Sequence, residues 1–280
     1  MILWSALAVA LLASAYGVRL AVKGRARFDR IDRQGGSRLL SKGAMELGHW
    51  ILEPVSRFFV FLRITPNSVS WASLGFGFVA GVCLALGHFG FGAICATISG
   101  LLDSVDGMVA RISGVASDAG EVLDAAVDRY VEFFFLSGLV LYYREMPLLQ
   151  LLTLLALLGS FMVSYSTTKA EALNLEPPKG SMRRPERAVY LISGAALSTV
   201  TIPLLEVNRG FSVGYPMVMA LLLVAIVANV SSIARFWSIA KAVRCREKGF
   251  TDTRKSAPVK MCAAEERGSQ TKPRAADLRL

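Results

Sequence analysis

Asp103, Asp106, Asp124 and Asp128 fall within residues 103–128 at spacings that a helix turns into pairs. Asp103 and Asp106 are three residues apart, and Asp124 and Asp128 are four apart, so each pair shares one helical face. The break Ser113–Ala119 separates the two stretches. It predicts two antiparallel neighbouring helices whose carboxylates converge. The flanking sequence is apolar, and a charge held within a membrane helix costs about 2.5–3.5 kcal/mol on insertion scales. Four unpaired carboxylates would cost roughly 10 kcal/mol or more, before their mutual repulsion. Only Arg111 and Arg129 stand close by in the sequence, which leaves the group short of positive charge. Hard divalent cations suit all-oxygen ligands, so Mg²⁺ or Mn²⁺ is the expected occupant. Four carboxylates can hold two ions about 3.5–4 Å apart, an arrangement suited to phosphoryl displacement. Gly100, Gly107, Ala110, Gly114 and Gly120 let backbones approach or leave room for a bound nucleotide. Rim ion pairs, Asp103 with Arg111 and Asp124 with Arg129, are the competing explanation. They account for one aspartate pair more readily than for both.

The elements that must position these residues are membrane helices. The chain has 280 residues, 54% hydrophobic and 19% charged, with a mean hydropathy of +0.49. A soluble domain carries roughly 25% charged residues. The excess apolar residues lie in long runs, so the expected fold class is all-α and polytopic. Residues 2–22 read as an uncleaved N-terminal transmembrane anchor, because Arg19, Lys23, Arg25 and Arg27 follow the apolar run and no Lys or Arg precedes it. Residues 23–64 form a basic juxtamembrane segment. In it Leu39, Leu40, Leu47, Trp50, Ile51, Val55, Phe58, Phe59 and Leu62 recur at helical spacing. That pattern fits an interfacial amphipathic helix, and equally a soluble amphipathic helix packed on the core. Six further spans are expected near 68–88, 91–112, 120–143, 147–168, 187–206 and 213–238, within a catalytic domain at 65–240. Residues 241–280 read as a basic, disordered tail.

The net charge of +10 is segregated into residues 19–63, 169–187 and the C-terminal part, while the opposite loops offer only Arg144 and Arg209. With seven spans, every basic segment falls on one side, which the positive-inside rule makes cytoplasmic. The charge therefore reads as membrane orientation in a plasma membrane of bacterial type, and no nucleic-acid partner is expected. Cys83, Cys95, Cys245 and Cys262 show no CxxC spacing, so neither a disulfide framework nor a cysteine zinc site is expected. His49 and His88 have no partner spacing.

The pattern Asp103-x2-Asp106-Gly107-x2-Ala110-Arg111-x8-Gly120-x3-Asp124-x3-Asp128 resembles the signature of the CDP-alcohol phosphatidyltransferases at every specified position. The resemblance covers about residues 65–240 and implies a six-helix membrane core. It implies transfer of a phosphatidyl group from CDP-diacylglycerol to an alcohol, with release of CMP. By matching positions, Asp103, Asp106, Asp124 and Asp128 would hold two Mg²⁺ or Mn²⁺ ions, and Asp128 would also be the general base. Gly107, Arg111 and Ser117 would contact the CDP portion, beside the stretch Pro66, Asn67, Ser68 and Val69. The family is often dimeric, which makes a homodimer the expected assembly.

The acceptor is less defined. Lys169, Arg184, Arg187 and Arg235 all belong to the basic side that carries the aspartates. Several cations around one site suit an acceptor with its own phosphate. They resemble the phosphatidylinositol phosphate synthase branch, whose acceptor is inositol phosphate. Glycerol phosphate is a second phosphorylated candidate, and free inositol or serine are the acceptors if the basic residues serve only topology. Two more distant readings are an intramembrane prenyltransferase and a cation transporter. The first places its aspartate motifs far apart in sequence, and the second places its acids near the midplane. Neither matches four acids within one helical hairpin at the basic end.

Overall fold

The structure is a computed structural model that describes residues 42–175, 180–206 and 212–253. The expected anchor at 2–22, residues 23–41 of the juxtamembrane segment and the tail beyond 253 lie outside the described residues. Everything regular among the described residues is helical: α1 (Lys42–Phe61), α2 (Pro66–Ala85), α3 (Phe89–Ile112), α4 (Asp118–Tyr142), α5 (Pro147–Ala172), α6 (Arg184–Leu205) and α7 (Tyr215–Thr253). A single 3₁₀ turn, Tyr143–Glu145, links α4 to α5.

Local chemistry sets where these helices begin. Thr65 caps α2 by accepting the Ser68 amide at 3.3 Å, with Pro66 in the first turn. Ser117 caps α4 by accepting the Gly120 amide at 3.2 Å. At α6 the Glu186 carboxylate reaches back to the Arg183 amide at 3.0 Å. The last span was expected to end near residue 238, yet α7 continues as helix to Thr253. Lys241, Arg244 and Arg246 are good helix formers, so the helix propagates into water once its apolar part is formed. Arg246 Nη1 also donates to the carbonyl of Leu173 at 3.0 Å, at the C-terminal end of α5.

Five helices are long and apolar enough to cross a membrane: α2, α3, α5, α6 and the part of α7 up to Arg246. Although α4 is as long as these, its first turns carry Asp118, Glu121, Asp124, Asp128, Arg129 and Glu132. The helices pack as two groups of three. In one, α2 lies against both α3 and α4; in the other, α7 lies against both α5 and α6. Contacts of α3 with α6 and of α4 with α5 join the groups. The buried core includes Leu84, Phe89, Leu136, Leu139, Leu191, Met217 and Leu221.

The packing corrects the expectation that α3 and α4 are close neighbours. They touch little, because α2 is the helix against which both pack. Gly81 of α2 and Gly138 of α4 meet backbone to backbone, and a Cβ on either would overlap the other helix. That contact draws α4 onto α2. The turn through Gly114, at a φ of +69° that favours glycine, lets α3 and α4 splay and leaves a cleft between their aspartate faces.

Helix α1 packs on α3. Leu52, Phe59 and Val60 meet a small cluster formed by Val69, Val105 and Val109, while Val55 and Phe58 remain exposed.

Candidate active site

Asp103 from α3 and Asp124 and Asp128 from α4 come together at the cleft. One carboxylate oxygen from each lies within 4.8 Å of the others. All three side chains are partly buried, and such a set of oxygens has the hard, anionic character that Mg²⁺ and Mn²⁺ prefer. The residues therefore fit a divalent ion.

Asp106 is held differently. It is buried, and its Oδ2 accepts from Ser70 Oγ of α2 while its Oδ1 accepts from its neighbour's amide, Gly107 N, both at 2.5 Å. It faces the α2 wall beside the cluster, and each of its oxygens retains a second lone pair. Of the four expected ligands, the structure thus gathers three and ties the fourth to α2.

Arg111 and Arg129 are the cations nearest to the aspartates in sequence. A third comes from α6, distant in sequence. Arg184 donates from Nη1 to Asp103 Oδ2 at 2.9 Å and from Nη2 to Asp103 Oδ1 at 3.4 Å. The same Nη2 lies in an ion pair against Asp128 Oδ1. Arg129 Nη1 stands farther off, 3.8 Å from Asp128 Oδ2. Asp103 therefore pairs with Arg184. The guanidinium of Arg111 lies over Gly107, where an added Cβ would be 3.3 Å from Nη1.

One turn deeper, Arg187 is 1% exposed and all three of its nitrogens are engaged. Nε and Nη2 donate to the two oxygens of Glu132 at 2.8 and 3.0 Å, and Nη1 donates to the Met182 carbonyl at 2.8 Å. Arg187 was expected to bind acceptor phosphate. In this structure it is buried, and its hydrogen bonds to Glu132 and Met182 make it a strut between α4 and α6. The sequence signal for Glu132 is its spacing: Asp124, Asp128 and Glu132 form a continuous stripe, four residues apart.

The remaining expected residues divide by exposure. Asn67, Ser68, Arg111 and Ser117 are exposed near the cluster's end of the bundle, and Pro66 and Gly107 are half-buried. Val69 is buried against Val105 and Val109, so its side chain serves packing. Lys169 is exposed in the last turn of α5, where its charge also favours the helix C-terminus. Arg235 is buried on α7. Its Nη1 donates to Thr167 Oγ1 at 3.2 Å and its Nη2 to the Ser181 carbonyl at 3.3 Å. Its Nε is buried and has no hydrogen-bond partner among the described residues. It lines a cavity of about 340 Å³ with Gly180, Ser181, Ser231 and Ser238. Arg183, Arg187 and, with the opposite sign, Glu186 lie near enough for their charges to act on it.

A second cavity, about 280 Å³, runs from the acidic cluster along α3, α4 and α6. Asp103, Asp128, Glu132 and Arg184 line its polar end, and Leu101, Val131, Phe135, Val189, Leu191 and Ile192 line the rest. A charged head with an apolar extension fits such a groove.

Comparison with known proteins agrees with this chemistry. Residues 63–228 match the CDP-alcohol phosphatidyltransferase family. A phosphatidylinositol phosphate synthase of Corynebacterium glutamicum is 31% identical over 160 residues, which span 55% of this chain and 72% of that protein. The synthase of the same name from Mycolicibacterium smegmatis is 32% identical over 149 residues, 52% of this chain and 67% of the relative. Among solved structures, the Mycobacterium tuberculosis phosphatidylinositol phosphate synthase with CDP-DAG bound superposes with a TM-score of 0.59 at 24% identity. The superposition covers 68% of this chain and 93% of that one. The same enzyme in complex with manganese and citrate gives 0.59 at 24% identity, over 67% and 88% of the two chains. At that identity the likeness speaks for the fold.

Proposed function

This chain belongs to the CDP-alcohol phosphatidyltransferase family, and from that premise we propose that it is a phosphatidylinositol phosphate synthase, moving the phosphatidyl group of CDP-diacylglycerol to inositol phosphate at the cytoplasmic face. It is an integral membrane enzyme that depends on a divalent metal and uses CDP-diacylglycerol as donor. The observation that carries the reading is the convergence of Asp103, Asp124 and Asp128 from two helices at the mouth of a groove that turns apolar.

In this reading Asp103, Asp124 and Asp128, joined by Asp106, would hold two Mg²⁺ or Mn²⁺ ions, which when bound would neutralise the diphosphate and the charge at the leaving oxygen. Arg111 lies over Gly107, exposed beside the cluster, and its planar donors suit the CDP phosphates. Asn67, Ser68 and Ser117 border the nucleotide, and the groove along α3, α4 and α6 takes the start of the acyl chains. Asp128 accepts the proton of the acceptor hydroxyl as its oxygen attacks the lipid-side phosphorus. A hydroxyl pKa lies far above 7, so a carboxylate at hydrogen-bond distance assists the attack. The bond from that phosphorus to the CMP oxygen breaks, and CMP leaves.

The acceptor's own phosphate is assigned to the Arg235 cavity. Support comes from the buried Nε, which has no hydrogen-bond partner among the described residues. Lys169 adds charge at the same end, and Thr167, Ser181 and Ser231 supply neutral polar contacts. Two further elements of the reading are α1 lying in the membrane interface with Val55 and Phe58 toward lipid, and assembly as a homodimer.

The test is CMP release from labelled CDP-diacylglycerol with inositol phosphate, glycerol phosphate, free inositol and serine as acceptors. Inositol phosphate should give the highest kcat/KM. Preference for serine or free inositol would assign the chain to another acceptor branch. No CMP with any alcohol would refute the transferase reading for this chain.

A further inference from the structure

Arg184 and Arg187 stand three residues apart on α6, facing Asp128 and Glu132 four apart on α4. The two helices therefore meet through two rungs of opposite charge. The rungs differ. Arg187 and Glu132 are sealed from water, pair oxygen for nitrogen, and lie outside the carboxylate cluster. Arg184 instead spreads one guanidinium across two acids on different helices, Asp103 and Asp128, and is 28% exposed. Those are two of the three acids whose oxygens converge.

We infer that Arg184 is an exchangeable internal cation of the site: it competes with the divalent ion for Asp103 and Asp128, and on exchange turns to the substrate's phosphate oxygens. The inference rests on the metal-dependent reading above. A guanidinium in hydrogen-bonding contact with a carboxylate oxygen uses the lone pairs that a cation needs, and its charge opposes a second cation at close range. An ion bound between Asp103 and Asp128 therefore competes with Arg184 for both acids, by charge and for the lone pairs that Arg184 meets. The buried Arg187 rung keeps the α6 backbone in place during that change, so the freed side chain stays at the cluster. There its planar fork meets anionic phosphate oxygens, the other partner to which guanidinium geometry is suited. Without such a resident cation, three acids in a partly buried cleft would repel one another whenever the ion is gone.

The experiment is Mn²⁺ binding to purified full-length protein in detergent, read by the EPR signal of free Mn²⁺, with thermal midpoints measured in EDTA and in Mn²⁺. Arg184→Gln should bind Mn²⁺ about 10-fold or more tightly than wild type, the scale of one charge-assisted hydrogen bond. Its midpoint in EDTA should fall while the gain on adding Mn²⁺ grows. Arg129→Gln is the control, since Arg129 also stands beside Asp128 but at 3.8 Å and without bridging. A general field effect would tighten both variants equally, whereas occupancy of the ligand oxygens tightens only Arg184→Gln. If Arg184→Gln does not purify folded, Arg184→Lys gives the same reading with a smaller gain, because an ammonium cannot fork across two acids. Unchanged or weaker Mn²⁺ binding in the Arg184 variants, or equal tightening in Arg129→Gln, overturns the exchange. If wild type and the Arg184 variants all fail to bind Mn²⁺, both the exchange and the metal reading fall. Binding by wild type with no gain in the variants removes the exchange alone.

Discussion

Acids stand near both ends of α4, and they behave in opposite ways. At one end, Asp103, Asp124 and Asp128 crowd together with Arg184 shared between two of them. At the other, about 21 Å further along the helix axis, Tyr142 and Tyr143 donate their hydroxyls to the carbonyls of Ser212 and Val213. Beside them Glu206, 3% exposed, accepts the backbone amides of Val213 and Gly214. Glu206 is one acid with its own donors, and it fastens the start of α7 to the end of α6. At the other end the carboxylates converge, and one guanidinium is shared between two of them. Burial of an acid is thus a poor sign of chemistry by itself. The informative quantity is the balance of acids against the groups that satisfy them.

The sharpest way to break this comparison is to neutralise one acid at each end. Asp128→Asn should lower turnover by about 10²–10⁴-fold, the usual weight of a general base, while CDP-diacylglycerol binding persists. CMP release under saturating substrates measures it, and a loss under tenfold would exclude an essential base. The next effect is confined to the acceptor. Arg235→Gln should raise the KM for inositol phosphate by about 10- to 150-fold, the worth of a charge-assisted hydrogen bond. The KM for CDP-diacylglycerol should stay near that of wild type, and free inositol should lose its disadvantage.

Glu206→Gln should cost stability and spare chemistry. Weakening charged hydrogen bonds to two buried amides costs about 1–3 kcal/mol, visible as a lower thermal midpoint with kcat unchanged. A matching drop in kcat would mean that the two ends of α4 are coupled. The smallest effect belongs to Gly180→Ala. Its Cβ would come within 2.6 Å of Arg235 Nε and 3.0 Å of Nη2. The flexible guanidinium can yield at about 1 kcal/mol, so the acceptor KM should rise about fivefold. Steady-state kinetics with varied inositol phosphate would show it.

Much of the acidic end could be read from sequence because its information is local. The three- and four-residue spacings of the aspartates are properties of single helices. What the sequence withheld depends on which helices pack together. Arg184 reaches Asp103 across 81 positions, and Ser70 reaches Asp106 across 36. The splay of α3 and α4 follows from the Gly81–Gly138 contact, which no hydrophobic period announces. The roles of Arg184 and Arg187 could not be separated in sequence, because both lie in one basic run. Burial separates them: one is sealed against Glu132, and the other is shared by the cluster. Glu206 gave no sign beyond its place ahead of a predicted break, since its partners are backbone amides.

The most direct test of the account is CMP release from CDP-diacylglycerol with inositol phosphate after exhaustive chelation, followed by titration with Mg²⁺ or Mn²⁺. Wild type and Glu206→Gln should both fall silent in EDTA and recover with the same dependence on added ion. Asp103→Asn and Asp124→Asn should recover poorly at every concentration. Full activity after chelation and repurification, or recovery of the two Asp variants indistinguishable from wild type, would contradict the claim that this cluster works by holding a divalent cation.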